Sequence, residues 1–260
     1  MPAVVWYSEQ ANFVGAQQRS LNEPLQIHIG CGRCRIKGYL NCDLYPSVAT
    51  DLVFDCTKRW PLSDNSASTI ISSHTLEHLV DFKGFFREAW RVLREDGNLQ
   101  IKLPYGGHNS AWWDIEHQRP WHAETFCFLQ PGYGDSIGNA QHTDWNHFFS
   151  IEDIALRLSA RMVPILKWRL GRWLLLPWVD CLHNVIEELW VYLVPLKDSE
   201  KIAAWRALRP GNAVPGRYVV YRHHLEDRIL GPDERPELVD WGYEQIWNGL
   251  HNWRKHRSWK

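Results

Sequence analysis

The chain predicts an α/β fold: a mostly parallel sheet with helices on both faces. Three observations predict it. Short apolar runs, several rich in β-branched residues, recur at Leu25–Ile29, Asp51–Asp55, Ser68–Ser73 and Leu99–Pro104. Between them Asp81–Arg94 places apolar residues at Phe82, Phe85, Phe86, Ala89, Trp90 and Leu93, which is helical spacing. The first run ends in Gly30-Cys31-Gly32, and the next short apolar stretch ends in an acid, Asp43. Strands alternating with crossovers make a parallel sheet.

Taken in order, Leu25–Ile29 is the first strand, and the glycines after it let backbone approach a ligand where a Cβ would collide. Lys37-Gly38-Tyr39 reads as a turn, so the span from Gly32 to Asp43 is short for a crossover helix. Asp43 ends the second strand, where an acid can take both hydroxyls of a ribose. Asp51–Asp55 is a third strand ending in an acid, and Trp60–Ser66 is a turn-rich loop. Ser68–Ser73 is the fourth strand. The helix over Asp81–Arg94 stops at Gly97, and Leu99–Pro104 is the fifth strand. Trp145–Asp153 reads as a strand or turn followed by a helix capped by Ser150, with Asp153 three residues on.

Composition bounds the function. At 260 residues there is room for one sizeable domain with an insertion. A formal net charge of -1 offers no general footing for nucleic acid or an anionic membrane. Residues 1–24 are polar with scattered aromatics, so no signal-peptide core is expected. The six cysteines read as small reduced side chains rather than a disulfide framework, which favours the cytoplasm; Cys31-x-x-Cys34 has no second CxxC to make a metal pair. The 16 Trp are the outlier, open to reading as packing, as a stacking surface for a sugar, or as an interfacial belt.

HIGCG, GYLNCDL, VFDCTKRWPLSDNSASTIISSHTLEHL and REAWRVLREDGNLQIKLP together resemble the class I S-adenosylmethionine-dependent methyltransferases, and within them the type 11-like small-molecule and sugar group. The resemblance covers residues 25–130 and implies a Rossmann-like, seven-stranded, mostly parallel sheet with helices on both faces and S-adenosyl-L-methionine as cofactor. It implies an antiparallel edge pair, for which Met162–Leu170 and Arg217–His223 are the candidates. It also implies that Gly30, Cys31 and Gly32 face the amino-acid part of the cofactor, that Asp43 with Leu44 holds the ribose, that Asp55 and Cys56 hold the adenine, and that Ser73 and His74 lie under the sulfonium.

The acceptor side is expected in Tyr105–His122, which emerges from the fifth strand at the ligand-binding edge of such a sheet and combines a Gly pair with Trp, His and acids. His117 is the first choice for base or acceptor contact, with His78 and His74 as further catalytic candidates and His108 and His122 behind them. No metal is expected. His74-x-x-Glu77-His78 superficially matches a zinc-protease signature, but it follows a strand, and His74 stands where related quinone methyltransferases carry an acid. Asp114, Glu116, His117 and His122 have no diagnostic spacing either.

The division expected is an extension at 1–24, a methyltransferase domain at 25–225 and a Trp-rich tail at 226–260. Within the domain, about 171–210 is expected as an inserted helical cap before the last strand. Asp180, His183, Glu187 and Glu188 interrupt the apolar run 173–196, so it does not span a bilayer; a peripheral membrane contact or a dimer interface is the alternative to a cap. Basic residues interleaved with Trp in the tail suit a solvated helix end, and an anionic surface is the alternative. The reading is an enzyme that methylates a hydroxyl of a sugar, glycan precursor or other small molecule. A non-catalytic module that binds a partner or membrane through the Trp-rich half is the alternative, and nucleic-acid methylation lacks both a basic channel and the usual amino-methylation motif.

Overall fold

The computed structural model describes residues 24–133, 145–159, 182–207 and 218–221. The strands are β1 (Leu25–Ile29), β2 (Leu40–Asp43), β3 (Leu52–Val53), β4 (Ala67–Ser73), β5 (Leu93–Pro104), β6 (Phe149–Leu158), β7 (Ile186–Pro195) and β8 (Tyr218–Tyr221). Helix α1 (Phe82–Val92) lies between β4 and β5, and α2 (Ser199–Ala207) follows β7. All the strands join one sheet in the order β3-β2-β1-β4-β5-β7-β6-β8. The β3-to-β5 half is parallel throughout, β7 runs antiparallel to both β5 and β6, and β8 is parallel to β6. This is the Rossmann-like arrangement expected, with eight strands among the described residues where seven were predicted.

Central strands in such a sheet are covered on both faces, and their residues show it. Ile27, His28 and Ile29 of β1 are all buried, as are Ile70, Ile71 and Ser72 of β4. Helix α1 is capped by Asp81, whose carboxylate accepts from the Gly84 N–H at 2.9 Å. Its buried Phe85 and Phe86 pack with Trp60, Trp121, Phe126 and Phe149, so aromatic rings link the helix to the 105–122 loop and to β6.

A buried ion pair ties α1 to the β3–β4 loop. Arg91 donates to Glu88 Oε2 through Nε and Nη2 at 3.0 and 2.6 Å, and the Trp60 N–H donates to the same oxygen at 2.9 Å. Arg91 also donates to the carbonyls of Trp60 and Leu62 and to Asp64. Every charge in this knot is compensated, which is the condition for burying it.

Four expectations differ from the structure. Residues 149–158 form a strand, not a helix capped at Ser150; the Ser150 hydroxyl donates to Glu152 and to the Val194 carbonyl instead. A bulge between Ile151 and Asp153 shifts the buried set from Phe149 and Ile151 to Ile154 and Leu156, and this broken alternation hid the strand. Within the expected helical cap, Ile186–Pro195 is a strand paired on both sides, so it is sheet interior and not an apolar face for a membrane; α2 supplies the helix before β8. Gly97 does not stop the helix: β5 starts at Leu93, and Gly97 sits in the irregularity between Leu93↔Ala67 and Asn98↔Thr69. Finally, β8 falls within the expected last strand but pairs in parallel with β6. Residues 162–170, all but residue 24 of the expected 1–24 extension, and the 226–260 tail lie outside the described residues, and no described helix is long and apolar enough to cross a membrane.

Glu88→Ala strands the buried Trp60 amide and leaves Arg91 with Asp64 and two carbonyls. We expect it to lower stability by about 1.5–3 kcal/mol, read as a lower urea midpoint at unchanged slope.

Candidate active site

The carboxyl ends of β1, β2, β3 and β4 converge on one edge, and the turn after β1 governs its shape. Gly30 has φ +72° and Gly32 φ +53°. A Cβ at Gly30 would lie 2.0 Å from Thr75 Oγ1, so the turn after β1 is packed against the turn after β4. At Gly32 a Cβ would meet nothing within 4 Å, which leaves that part of the loop open. The Gly32 N–H donates to Asp43 Oδ2 at 2.7 Å, and the Tyr45 N–H to Oδ1 at 3.0 Å. Each carboxylate oxygen keeps a further lone pair for a ligand hydroxyl. An open glycine turn with a half-buried acid across it fits the ribose and amino-acid parts of S-adenosylmethionine.

β2 is held by a buried polar set that sequence reading overlooked. Asp51 accepts from both the backbone N–H and the side-chain amide of Asn41, at 2.9 and 3.0 Å, and pairs with Arg35. Asn41 Oδ1 in turn takes the Ile36 N–H and faces the buried His28 ring. Burial raises the Asp51 carboxyl, but these hydrogen bonds and Arg35 outweigh it and hold it below the usual carboxylate range. Asp55, beyond β3, uses Oδ1 to accept from the Thr57 N–H and hydroxyl at 2.8 and 2.7 Å. Cys31 is buried beside Thr50, and burial pushes its thiol up; Cys56 is pushed up to about 12 by the same cause. Leu44 is exposed.

His74 leaves β4 with φ +52°, its N–H on the Lys102 carbonyl. Its Nε2 lies 3.3 Å from Glu188 Oε1 and its Nδ1 3.3 Å from Glu77 Oε1. Burial pulls the imidazolium down, but hydrogen bonding and charge from Glu188 and Glu77 prevail and hold its pKa at about 9. Glu188 on β7 also takes Arg157 Nη1 at 2.8 Å and lies 3.3 Å from Lys102 Nζ. Burial raises it, yet His74, Lys102 and Arg157 bring it to about 2. Glu188 was hidden because its segment read as a cap.

The 105–122 loop is closed at its root. The Gly106 N–H donates to the Trp121 carbonyl at 2.7 Å, and a Cβ at Gly106 would meet His122 Nε2 at 2.5 Å. Farther along, the Gln118 N–H donates to the Glu77 carbonyl at 2.7 Å, seating the loop on the 3₁₀ turn Leu76–His78. That brings the His117 and His78 rings edge to face at 4.7 Å. His117 Nδ1 lies 3.2 Å from the Ala111 carbonyl, which makes it the protonated nitrogen and Nε2 the lone pair. Glu77, His78 and His117 each place a ligand atom within 4.8 Å of the others. His108 is engaged with Ser110, and His122 packs on Tyr105. Trp112, Trp113 and Ile115 are exposed on the loop.

Residues 27–101 match a family described as a methyltransferase domain. No curated protein matches the chain. Among solved structures it is similar to an S-adenosylmethionine-dependent methyltransferase from Archaeoglobus fulgidus, at 12% identity and a TM-score of 0.40 over 66% of this chain and 86% of that one. A Mesorhizobium loti S-adenosylmethionine-dependent methyltransferase matches at 14% identity and a TM-score of 0.39, over 65% and 90%. The O-methyltransferase of a Brevibacillus brevis trans-AT polyketide synthase multienzyme, solved with S-adenosyl-L-homocysteine, matches at 12% identity and a TM-score of 0.38 over 75% of each chain.

Gly30→Ala meets both a left-handed φ, costing about 1–2 kcal/mol, and Thr75; we expect a lower urea midpoint than for the open-sided Gly32→Ala. Asp51 has its pKa depressed on folding, so its contribution is present above the unfolded value and lost as pH falls through the folded one. The stability gap between wild type and Asp51→Asn should therefore be full at neutral pH and narrow below about pH 4, as urea melts across that range will show.

Proposed function

We propose that the chain is an S-adenosylmethionine-dependent methyltransferase, a reading supported by the methyltransferase-domain match over residues 27–101, and that its acceptor is a hydroxyl of a small molecule, with a sugar or glycan precursor the leading class. The observation that supports the reading is the seating of the 105–122 loop on the turn after β4, which brings the His117 ring against His78.

The cofactor, when bound, supplies an electrophilic methyl group. Gly30, Cys31 and Gly32 meet its amino-acid part through backbone, since no side chain fits at Gly30. Asp43 takes the ribose hydroxyls on its remaining lone pairs by charge-assisted hydrogen bonds, with Leu44 beside it. Asp55 keeps Oδ2 for the adenine amino group, and the backbone of Cys56 serves the ring. Methyl transfer to oxygen needs a positioned acceptor and a place for its proton. His117, its tautomer fixed by Ala111, accepts that proton at Nε2, and His78 supports it from the adjoining ring.

His74 fits a different part than proton acceptor. Flanked by two carboxylates and protonated up to about pH 9, it works as a fixed cation bridging β4 to β7. Ser73 and His74 thus shape the sulfonium end without taking a proton. The exposed Trp112 and Trp113 give the loop aromatic surface of the kind that stacks on sugar faces.

Titrating S-adenosylhomocysteine into wild type and Asp43→Ala by calorimetry tests the cofactor side: we expect Asp43→Ala to lose about 1.5–3 kcal/mol of binding. His117→Ala should bind it with nearly unchanged affinity and lose turnover on any acceptor found in a sugar and phenol screen. A folded wild type that binds no S-adenosylhomocysteine would overturn the reading.

A further inference from the structure

We infer that Glu77, His78 and His117 form a binding site for one divalent first-row transition cation, of the zinc, manganese or cobalt class. Two segments distant in sequence supply it: the turn after β4 gives an acid and an imidazole, and the 105–122 loop gives a second imidazole. The Gln118 N–H to Glu77 carbonyl bond clamps the two together within one residue of every ligand. Two histidines and one carboxylate form the donor set such ions take, and three protein ligands leave coordination positions open.

The second observation is the state of Glu77. Its carboxylate is 1% exposed, and neither oxygen has a hydrogen-bond partner. Oε1 is ion-paired with His74 Nδ1 at 3.3 Å, a ring it shares with Glu188, and Oε2 has no partner among the described residues. A buried carboxylate so sparsely partnered is costly. A cation held with two neighbouring imidazoles would satisfy it. His117 is prepared in the way metal ligands are: its Nδ1–H is held by a backbone carbonyl, which leaves Nε2 as the donor atom. His78 is half-buried, which leaves the cluster a side open to solvent.

The ligand atoms are farther apart than in a closed site. Bonds of about 2.0–2.2 Å require the rings and carboxylate to draw in by roughly an ångström, a motion of side chains rather than of backbone. The catalytic consequence, though not the site itself, rests on the methyltransferase reading: with His117 Nε2 on the cation that nitrogen no longer serves as base, and the cation would instead make a bound acceptor hydroxyl easier to deprotonate, its proton passing to water.

The test uses the full-length, untagged chain stripped with chelator and titrated with Zn²⁺ and with Mn²⁺ by calorimetry. Visible absorption after Co²⁺ addition reports ligand type directly. We expect one equivalent to bind with micromolar or tighter affinity, and Glu77→Gln and His117→Ala each to weaken it by at least about tenfold, the scale on which even outer partners of metal ligands act. Glu95→Gln, a surface acid on the β5 irregularity, should bind as wild type does. Absence of binding by wild type, or unchanged binding by both Glu77→Gln and His117→Ala, overturns the inference. Circular dichroism confirms folding of each variant, and His117→Ala provides a loop-side test should Glu77→Gln not fold. S-adenosylhomocysteine titrated into the same metal-free sample separates the two readings: cofactor binding without metal binding defeats the cation site alone, and metal binding without cofactor binding defeats the methyltransferase reading alone.

Discussion

The edge of this sheet depends on one close approach, that of Gly30 to Thr75. The contact is short enough to exclude any Cβ at residue 30, so the turn after β1 rests directly on the turn after β4. From this follow the path of Cys31 and Gly32 toward Asp43, and the position of Leu76–His78 beneath the 105–122 loop. The turns after β1 and β4 are thus two sides of a single contact between the Gly30 backbone and the Thr75 side chain. A fold that depends on such an approach tolerates glycine and little else there, whatever ligand it holds.

Around that contact the charges are arranged with unusual economy. Glu188 collects His74, Lys102 and Arg157, so a negative charge from the antiparallel half of the sheet anchors positive charges from both halves. His74 stands between this satisfied acid and Glu77, whose counter-charge is that same shared ring. One carboxylate is therefore over-partnered while its neighbour across a single imidazole is under-partnered. Asymmetry of that kind marks where a protein has left room for something else.

Much of the parallel half was legible in the sequence because its signals are local. Gly30, Asp43 and the Phe82–Trp90 periodicity each declare themselves within a few residues and fall at the strand ends and helix expected, while Asp55 lies two residues past a third strand shorter than expected. The antiparallel half was not legible, for a physical reason. In β6 a bulge breaks the alternation that reveals a strand, and Ser150 and Asp153 imitate a cap. In β7 the Glu187-Glu188 pair resembles the polar face of a helix, although Leu189, Val191 and Leu193 alternate with Trp190, Tyr192 and Val194. At the site, His117 and His78 were each visible, but their meeting with Glu77 was not: it depends on a backbone bond from Gln118 that no spacing encodes.

The pairing of β5 with β7 sets Pro104 opposite Glu188 and Lys102 opposite Trp190. A slip of one residue would turn Glu188 to the other face and leave His74, Lys102 and Arg157 without their common counter-ion. The parallel core closes through short crossovers, whereas this pairing must wait for a distant part of the chain to return. Charge balance around Glu188 is therefore a property of the strand register and not of any one turn, and a register error far from the glycine loop would be felt there as unpaired positive charge.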